Sequence, residues 1–134
     1  EQLLFESGDT RVNDDGQAAL SGIADALKGR ELELRVEGHT DNVPIKNLRY
    51  QSNWELSAGR STSVVRYFIE ACKMAPERFA AAGYGEFRPV AANDSSEGRA
   101  QNRRVDVVLI AATSEEPERP DAGPATAPAS SSAR

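Results

Sequence analysis

With one cysteine in 134 residues, Cys72, the chain cannot close an internal disulfide. That excludes a small secreted scaffold held together by bridges. It leaves the compartment open, because a bacterial periplasmic protein need not carry disulfides. Cys72 lies at the apolar end of a helical pattern and reads as a small buried hydrophobe. Histidine is equally scarce: His39 stands alone, without an H-x-x-x-H partner or a cysteine cluster to complete a metal site. It reads as a residue that shapes a turn. No stretch of about 18 consecutive apolar residues exists, so no membrane-spanning helix is expected. There is no Lys/Arg run, and the net charge is −5. Nucleic acid is therefore a poor electrostatic match, and a polybasic membrane patch is missing. The chain starts at Glu1 directly before Leu3-Leu4-Phe5, without a visible signal peptide. It is expected to be a fragment, with any targeting or anchoring segment upstream.

What remains is an ordinary globular composition, 39% hydrophobic and 28% charged. Leu3-Leu4-Phe5 followed by Ser-Gly-Asp predicts a strand and a turn. Asn13 or Asp14 can cap a helix whose apolar face carries Leu20, Ile23, Ala24 and Leu27, ending at Gly29. Leu32, Leu34 and Val36 alternate with Glu31, Glu33, Arg35 and Glu37, which predicts a half-buried strand with a charged outer face. Residues 39–52 form a long loop, a length that usually marks function or mobility. Ser52 or Asn53 can cap the next helix, with Glu55 early in it and Leu56, Val64, Val65, Phe68, Ile69 and Cys72 along its apolar face. Pro76 opens a short helical segment and Phe79 packs inward. Residues 79–84 predict a weak strand, 86–98 a loop, and Arg104 to Ala111 the clearest β-rich run. From Thr113 onward Pro, Ala, Ser and Glu dominate. These residues cannot bury enough apolar area to offset their ordering entropy, so 113–134 is expected to be a disordered tail after a domain of residues 1–112.

The resulting order, β-α-β-α-(short α)-β-loop-β, predicts an α/β sandwich with helices on one face of a small mixed sheet. Asp41 falls just past the carboxyl end of the second strand, the edge where open α/β sheets collect ligands. Arg60 falls two turns into the following helix, and helical side chains lean back toward the N-terminus. One carboxylate and one guanidinium then share a corner with the free N–H groups of the helix start. That corner suits a zwitterionic amino-acid group, with the arginine holding a carboxylate through two parallel hydrogen bonds. A surface ion pair between Asp41 and Arg60 would look the same in the sequence. Asn102-Arg103-Arg104 enters the last strand, where adjacent side chains point to opposite faces. One arginine can face the ligand edge while the other is solvated. Gly83-Tyr84-Gly85 lacks the third glycine and the following helix of a dinucleotide fingerprint and reads as a turn.

Gly38-His39-Thr40-Asp41, Leu56-Ser57-Ala58-Gly59-Arg60, Gly83-Tyr84-Gly85 with Pro89, and Asn102-Arg103-Arg104-Val105 occur in the order found in the OmpA-like peptidoglycan-binding domain, which residues 1–111 resemble. The resemblance implies a β/α/β/α/β/β sandwich. It also implies binding without catalysis or a cofactor, with the diaminopimelate residue of the stem peptide as ligand. Asp41 would take its ammonium and Arg60 its carboxylate, with Thr40, Asn53 and Arg103 lining the same pocket. Within the family, Asn42-Val43-Pro44-Ile45 and Ser52-Asn53-Trp54-Glu55-Leu56-Ser57 look like the MotB-type flagellar stator subunits. That likeness implies a periplasmic, homodimeric anchor of an inner-membrane protein. A single transmembrane helix upstream and a MotA-type membrane partner are implied with it. The other reading within the family is the same domain on another envelope protein, an outer-membrane porin or a lipoprotein. A cell-wall hydrolase acting through His39, Asp41 or Glu55 would need an acid/base pair in one cleft, and neither a metal set nor a G-x-S-x-G elbow is present. Asp41→Asn and Arg60→Ala are expected to weaken binding while leaving the domain folded, since neither residue lies on a predicted apolar face.

Overall fold

The computed structural model describes residues 4, 5 and 9–111. Strand β1 (Leu32–His39) is the centre of a three-stranded sheet. Strand β2 (Phe79–Gly83) pairs with it in parallel and β3 (Arg104–Ala111) antiparallel. A parallel neighbour needs a crossover, and helix α2 (Asn53–Glu70) provides it, packing on both β1 and β2. Helix α1 (Asp14–Ala26) packs against α2, and a short α3 (Ser96–Asn102) leads into β3. Three helices with a small mixed sheet are the α/β architecture that the residue pattern predicts. Phe5 makes a bridge to Val12. Residues 1–3 and 6–8, which include part of the predicted first strand and its turn, lie outside the described residues, as does the predicted tail of 113–134.

The helix ends follow their capping residues. The Asn13 side chain accepts from the Gly16 N–H at 2.7 Å. Ser52 accepts from the Trp54 N–H at 3.1 Å, and its hydroxyl meets the Glu55 carboxylate, a reciprocal cap at the start of α2. Gly29, at φ +81°, carries the chain out of α1 through the left-handed region. Leu20 and Ala24 of α1, Val36 of β1, and Val64 and Phe68 of α2 form the core with Leu4, Phe5 and Val12. Phe79 stacks on Phe68 at 5.6 Å, and Cys72 packs, partly buried, against the same cluster. Arg35 on the far face of β1 is exposed, consistent with a sheet covered on one side.

Two expectations need correction. Ile23 is exposed, because α1 makes its contact through the stripe Leu20, Ala24 and Leu27 and leaves Ile23 on its border. The predicted loop 86–98 contains the start of α3. Seven residues are too few for a hydrophobic period. This helix is specified instead by its cap, Ser95 accepting from the Gly98 N–H at 3.0 Å, and by Gly98 lying against the Ala92 carbonyl.

Gly38 and Gly83 are direct partners across β1 and β2, and α2 crosses over both. A Cβ on Gly38 would sit 2.2 Å from the Ser57 carbonyl oxygen, and one on Gly83 2.5 Å from the Ala58 nitrogen. Two adjacent strand positions without side chains therefore let the first turns of α2 rest directly on the sheet. The helix start is held beside the end of β1, and this proximity builds the corner described next.

Candidate functional site

Pairing between the two parallel strands continues past their ends. The Tyr84 N–H donates to the Gly38 carbonyl and the Thr40 N–H to the Gly85 carbonyl, both at 2.9 Å. Thr40 and Asp41 thus emerge, buried, at the carboxyl edge of the sheet. One Asp41 carboxylate oxygen accepts from the Val43 N–H at 3.0 Å. The other accepts from Arg103 Nη1 at 2.7 Å, an ion pair in which Asp41 is nearly enclosed and Arg103 is 30% exposed. Thr40 Oγ1 donates to the Asp41 carbonyl, and the Asn53 amide is shared among the carbonyls of Asp41 and Val43 and the Glu86 carboxylate. Four of the five sequence-predicted residues therefore form one bonded cluster.

Arg60, the fifth, is 5% exposed and enters from α2. Its Nε donates to the Asp9 carbonyl at 2.8 Å, and its guanidinium lies 5.0 Å over the Phe5 ring. Burial pushes its pKa below the ordinary arginine value. The positive charge of Arg103 acts in the same direction, while Tyr50, Asp9 and Asp41 oppose it. It remains cationic throughout the accessible pH range. The ion partner of Asp41 is thus Arg103, so the surface pair between Asp41 and Arg60 that the spacing allowed is not the arrangement found. Asp41 carries one negative charge beside two guanidinium groups.

Several supporting residues escape a reading by spacing. Asn102 is fully buried and makes four hydrogen bonds across the chain. Its Oδ1 accepts from the Val90 and Ala91 N–H groups, and its Nδ2 donates to the Ala91 carbonyl and Asn93 Oδ1. It locks the loop before α3 to the end of that helix, where Arg103 follows. Asn102→Ala is expected to cost about 2–4 kcal/mol by stranding those buried groups, measured by urea unfolding. Ser57, also fully buried, donates to the Trp54 carbonyl and accepts from the Gly85 N–H, fastening the loop after β2 to the start of α2. Tyr50 is buried, with its hydroxyl on Thr10 at 2.9 Å, and anchors the far end of the long loop. A sequence signal exists for Asn102, which adjoins the two arginines. For Asp9 and Phe5, which seat Arg60 from about 50 positions away, there is none.

Arg104 is not the solvated member of its pair. Its Nε meets Asp106 at 3.1 Å, Nη2 donates to the Arg88 carbonyl, and the side chain is only 18% exposed. With Tyr84 it covers His39, which is 4% exposed and stacked on the Tyr84 ring at 5.2 Å. Glu37, His39 and Asp106 each bring a donor atom within 4.8 Å of the others. Both carboxylates already face guanidinium groups, Arg35 on Glu37 at 2.6 Å and Arg104 on Asp106. A divalent cation would have to displace both, so the cluster is a poor fit for a metal. Burial, reinforced by Arg104, holds the His39 pKa below 6.5. The unfolded chain therefore takes up a proton that the folded chain resists. Stability is expected to fall as pH drops from about 6.5 toward the folded-state pKa, before the carboxylates titrate. Urea midpoints between pH 7 and pH 5 should show this slope, and His39→Gln should flatten it.

The chain belongs to the OmpA family, which it matches over residues 4–103. It is 38% identical over 111 residues to Motility protein B of Bacillus subtilis, covering 82% of this chain and 42% of that protein. Among solved structures it superposes on the cell wall anchor of the T6SS from Pseudomonas aeruginosa with a TM-score of 0.76 and 43% identity, over 84% of this chain and 77% of the other. It superposes equally, at 0.76 and 30% identity, on the periplasmic domain of Helicobacter pylori MotB, over 84% and 73% of the two chains. The chain thus spans less than half the length of that curated motility protein. Among the described residues, no helix is long and apolar enough to cross a membrane.

Proposed function

We propose that this domain grips peptidoglycan through the diaminopimelate residue of the stem peptide and, in doing so, anchors a MotB-type flagellar stator to the cell wall. The observation that carries the reading is the corner itself. One buried carboxylate and two guanidinium groups converge at the carboxyl edge of the sheet. The far end of diaminopimelate is an amino-acid centre with an ammonium and a carboxylate, so it matches both signs. Each Asp41 oxygen already accepts one hydrogen bond and retains a lone pair for the ammonium. Arg60 receives the carboxylate, and the partly exposed Arg103 closes on it from the other side. Thr40 and Asn53 hold the Asp41 backbone in place and line the pocket. The arrangement offers binding without a nucleophile–base pair, which fits a non-catalytic anchor.

The stator reading brings a homodimer, a MotA-type membrane partner and a location in the periplasm as a domain of an inner-membrane protein. It is supported by the likeness to Motility protein B and to the MotB periplasmic domain. A second reading, the anchor of another envelope assembly, is favoured by the 43% identity to the T6SS cell wall anchor. Both use the same corner. The test is co-sedimentation with purified diaminopimelate-type sacculi. Wild type is expected to pellet and Asp41→Asn to stay in solution. Equal pelleting of the two would place the grip elsewhere.

A further inference from the structure

Two aromatic side chains stand at the rim of this corner with little part in holding the fold. Trp54 is 51% exposed and Phe87 60%, and their rings stack on each other at 5.2 Å with planes 27° apart. Each is the chain neighbour of a residue in the corner. Asn53 precedes Trp54, Glu86 precedes Phe87, and the Asn53 amide reaches the Glu86 carboxylate at 3.3 Å. Gly85, at φ +61°, lies close to both, since a Cβ there would come within about 3.5 Å of each ring. Ser57 clasps the two backbones together, donating to the Trp54 carbonyl and accepting from the Gly85 N–H. Val43, also exposed, follows the corner on the long loop, and its carbonyl accepts from the Asn53 amide. The Trp54–Phe87 pair is therefore a preformed, half-exposed aromatic stack, held by the same hydrogen bonds that shape the corner.

Scattered exposed apolar residues need no explanation, but two stacked rings fixed beside a binding corner do. A stem peptide held by its diaminopimelate comes with its glycan strand covalently attached. Two or three extended residues span roughly 7–10 Å, so the amino sugar arrives at the rim of the site. The C–H face of a pyranose is apolar and stacks on aromatic rings. A neutral acetamido sugar asks for no counter-charge, and the exposed rings of Trp54 and Phe87 give it an apolar partner. We propose that Trp54 and Phe87 form a stacking platform for an amino sugar of the peptidoglycan glycan strand, adjoining the peptide corner. The proposal rests on reading that corner as a stem-peptide site, and it adds a second recognised component, the sugar.

Trp54 is the sole tryptophan, so intrinsic fluorescence reports on the platform alone. Three probes separate the questions: the sugar-free stem tripeptide ending in diaminopimelate, the disaccharide tripeptide, and the peptide-free disaccharide. Wild type is expected to bind the disaccharide tripeptide about tenfold more tightly than the free tripeptide, with a shift in Trp54 emission. Phe87→Ala and Trp54→Ala should abolish that difference while leaving tripeptide affinity unchanged. Equal affinity of wild type for the two peptides, with no emission change, overturns the platform while the corner stands. Failure of the free tripeptide to bind would sink the corner reading. In that case a Trp54 emission shift with the disaccharide alone would still support the platform, and no shift would overturn it. Sedimentation velocity covers the remaining occupant. A wild-type dimer that Trp54→Ala dissociates, with no response to any sugar, would assign the rings to a second copy and overturn the proposal.

Discussion

Gly38→Ala is expected to destabilise the domain by at least about 3 kcal/mol, among the largest effects of any single methyl group here. The added carbon would sit 2.2 Å from the Ser57 carbonyl oxygen. Neither atom belongs to a flexible side-chain end, so relief requires α2 to lift off β1. Lifting α2 also breaks the Ser57 clasp on Gly85 and moves Asn53 and Arg60, so binding should be lost with stability. Gly22→Ala is the control. Gly22 is interior to α1 with nothing within 4 Å of the added carbon, so it should gain roughly 0.5–1 kcal/mol from helix propensity. Urea unfolding of the two variants checks both signs. Equal stability of Gly38→Ala and wild type would mean that the close approach of helix and sheet is wrong.

Arg60→Ala is expected to weaken stem-peptide binding by about 100-fold or more, the scale of losing a buried charged partner. It is also expected to cost stability. The Arg60 guanidinium lies over Phe5, a core residue, and satisfies the Asp9 carbonyl, so the variant is expected to lose stability as well as affinity. Arg60→Lys separates the two effects. It keeps a positive charge and most of the packing stem but loses the fork that holds a carboxylate by two bonds. It should stay folded and still lose most of the affinity in calorimetric titrations with the tripeptide. Retention of full affinity would show that the carboxylate is held elsewhere, with Arg103 the obvious candidate.

The long elements and the charged residues of the corner were legible because their signals are local. Alternation in 32–36 marks β1, the Ser52–Glu55 pair marks the start of α2, and Asp41 follows from its place after a strand. Three things were not legible, for physical reasons. Helix α3 is too short to show a period and depends on Gly98 fitting against Ala92. The partner of Asp41 is an arginine 62 positions away, and only the antiparallel pairing of β3 with β1 brings it there. The burial of His39 and Arg104 depends on Tyr84, which arrives from β2. The last two are properties of tertiary pairing, which spacing along a chain does not contain. The exposure of Trp54 against the burial of Tyr50 is of the same kind.

The most direct test of the central claim is a titration, followed by amide chemical shifts, with stem tripeptides that differ only at the third residue, diaminopimelate or lysine. Lysine keeps the ammonium and lacks the second carboxylate. The zwitterion corner predicts saturable shifts at Thr40, Asp41, Asn53 and Arg103 with the diaminopimelate peptide, and at least tenfold weaker binding of the lysine peptide. Equal affinity for the two peptides, or shifts confined to residues away from the edge of β1, would contradict it.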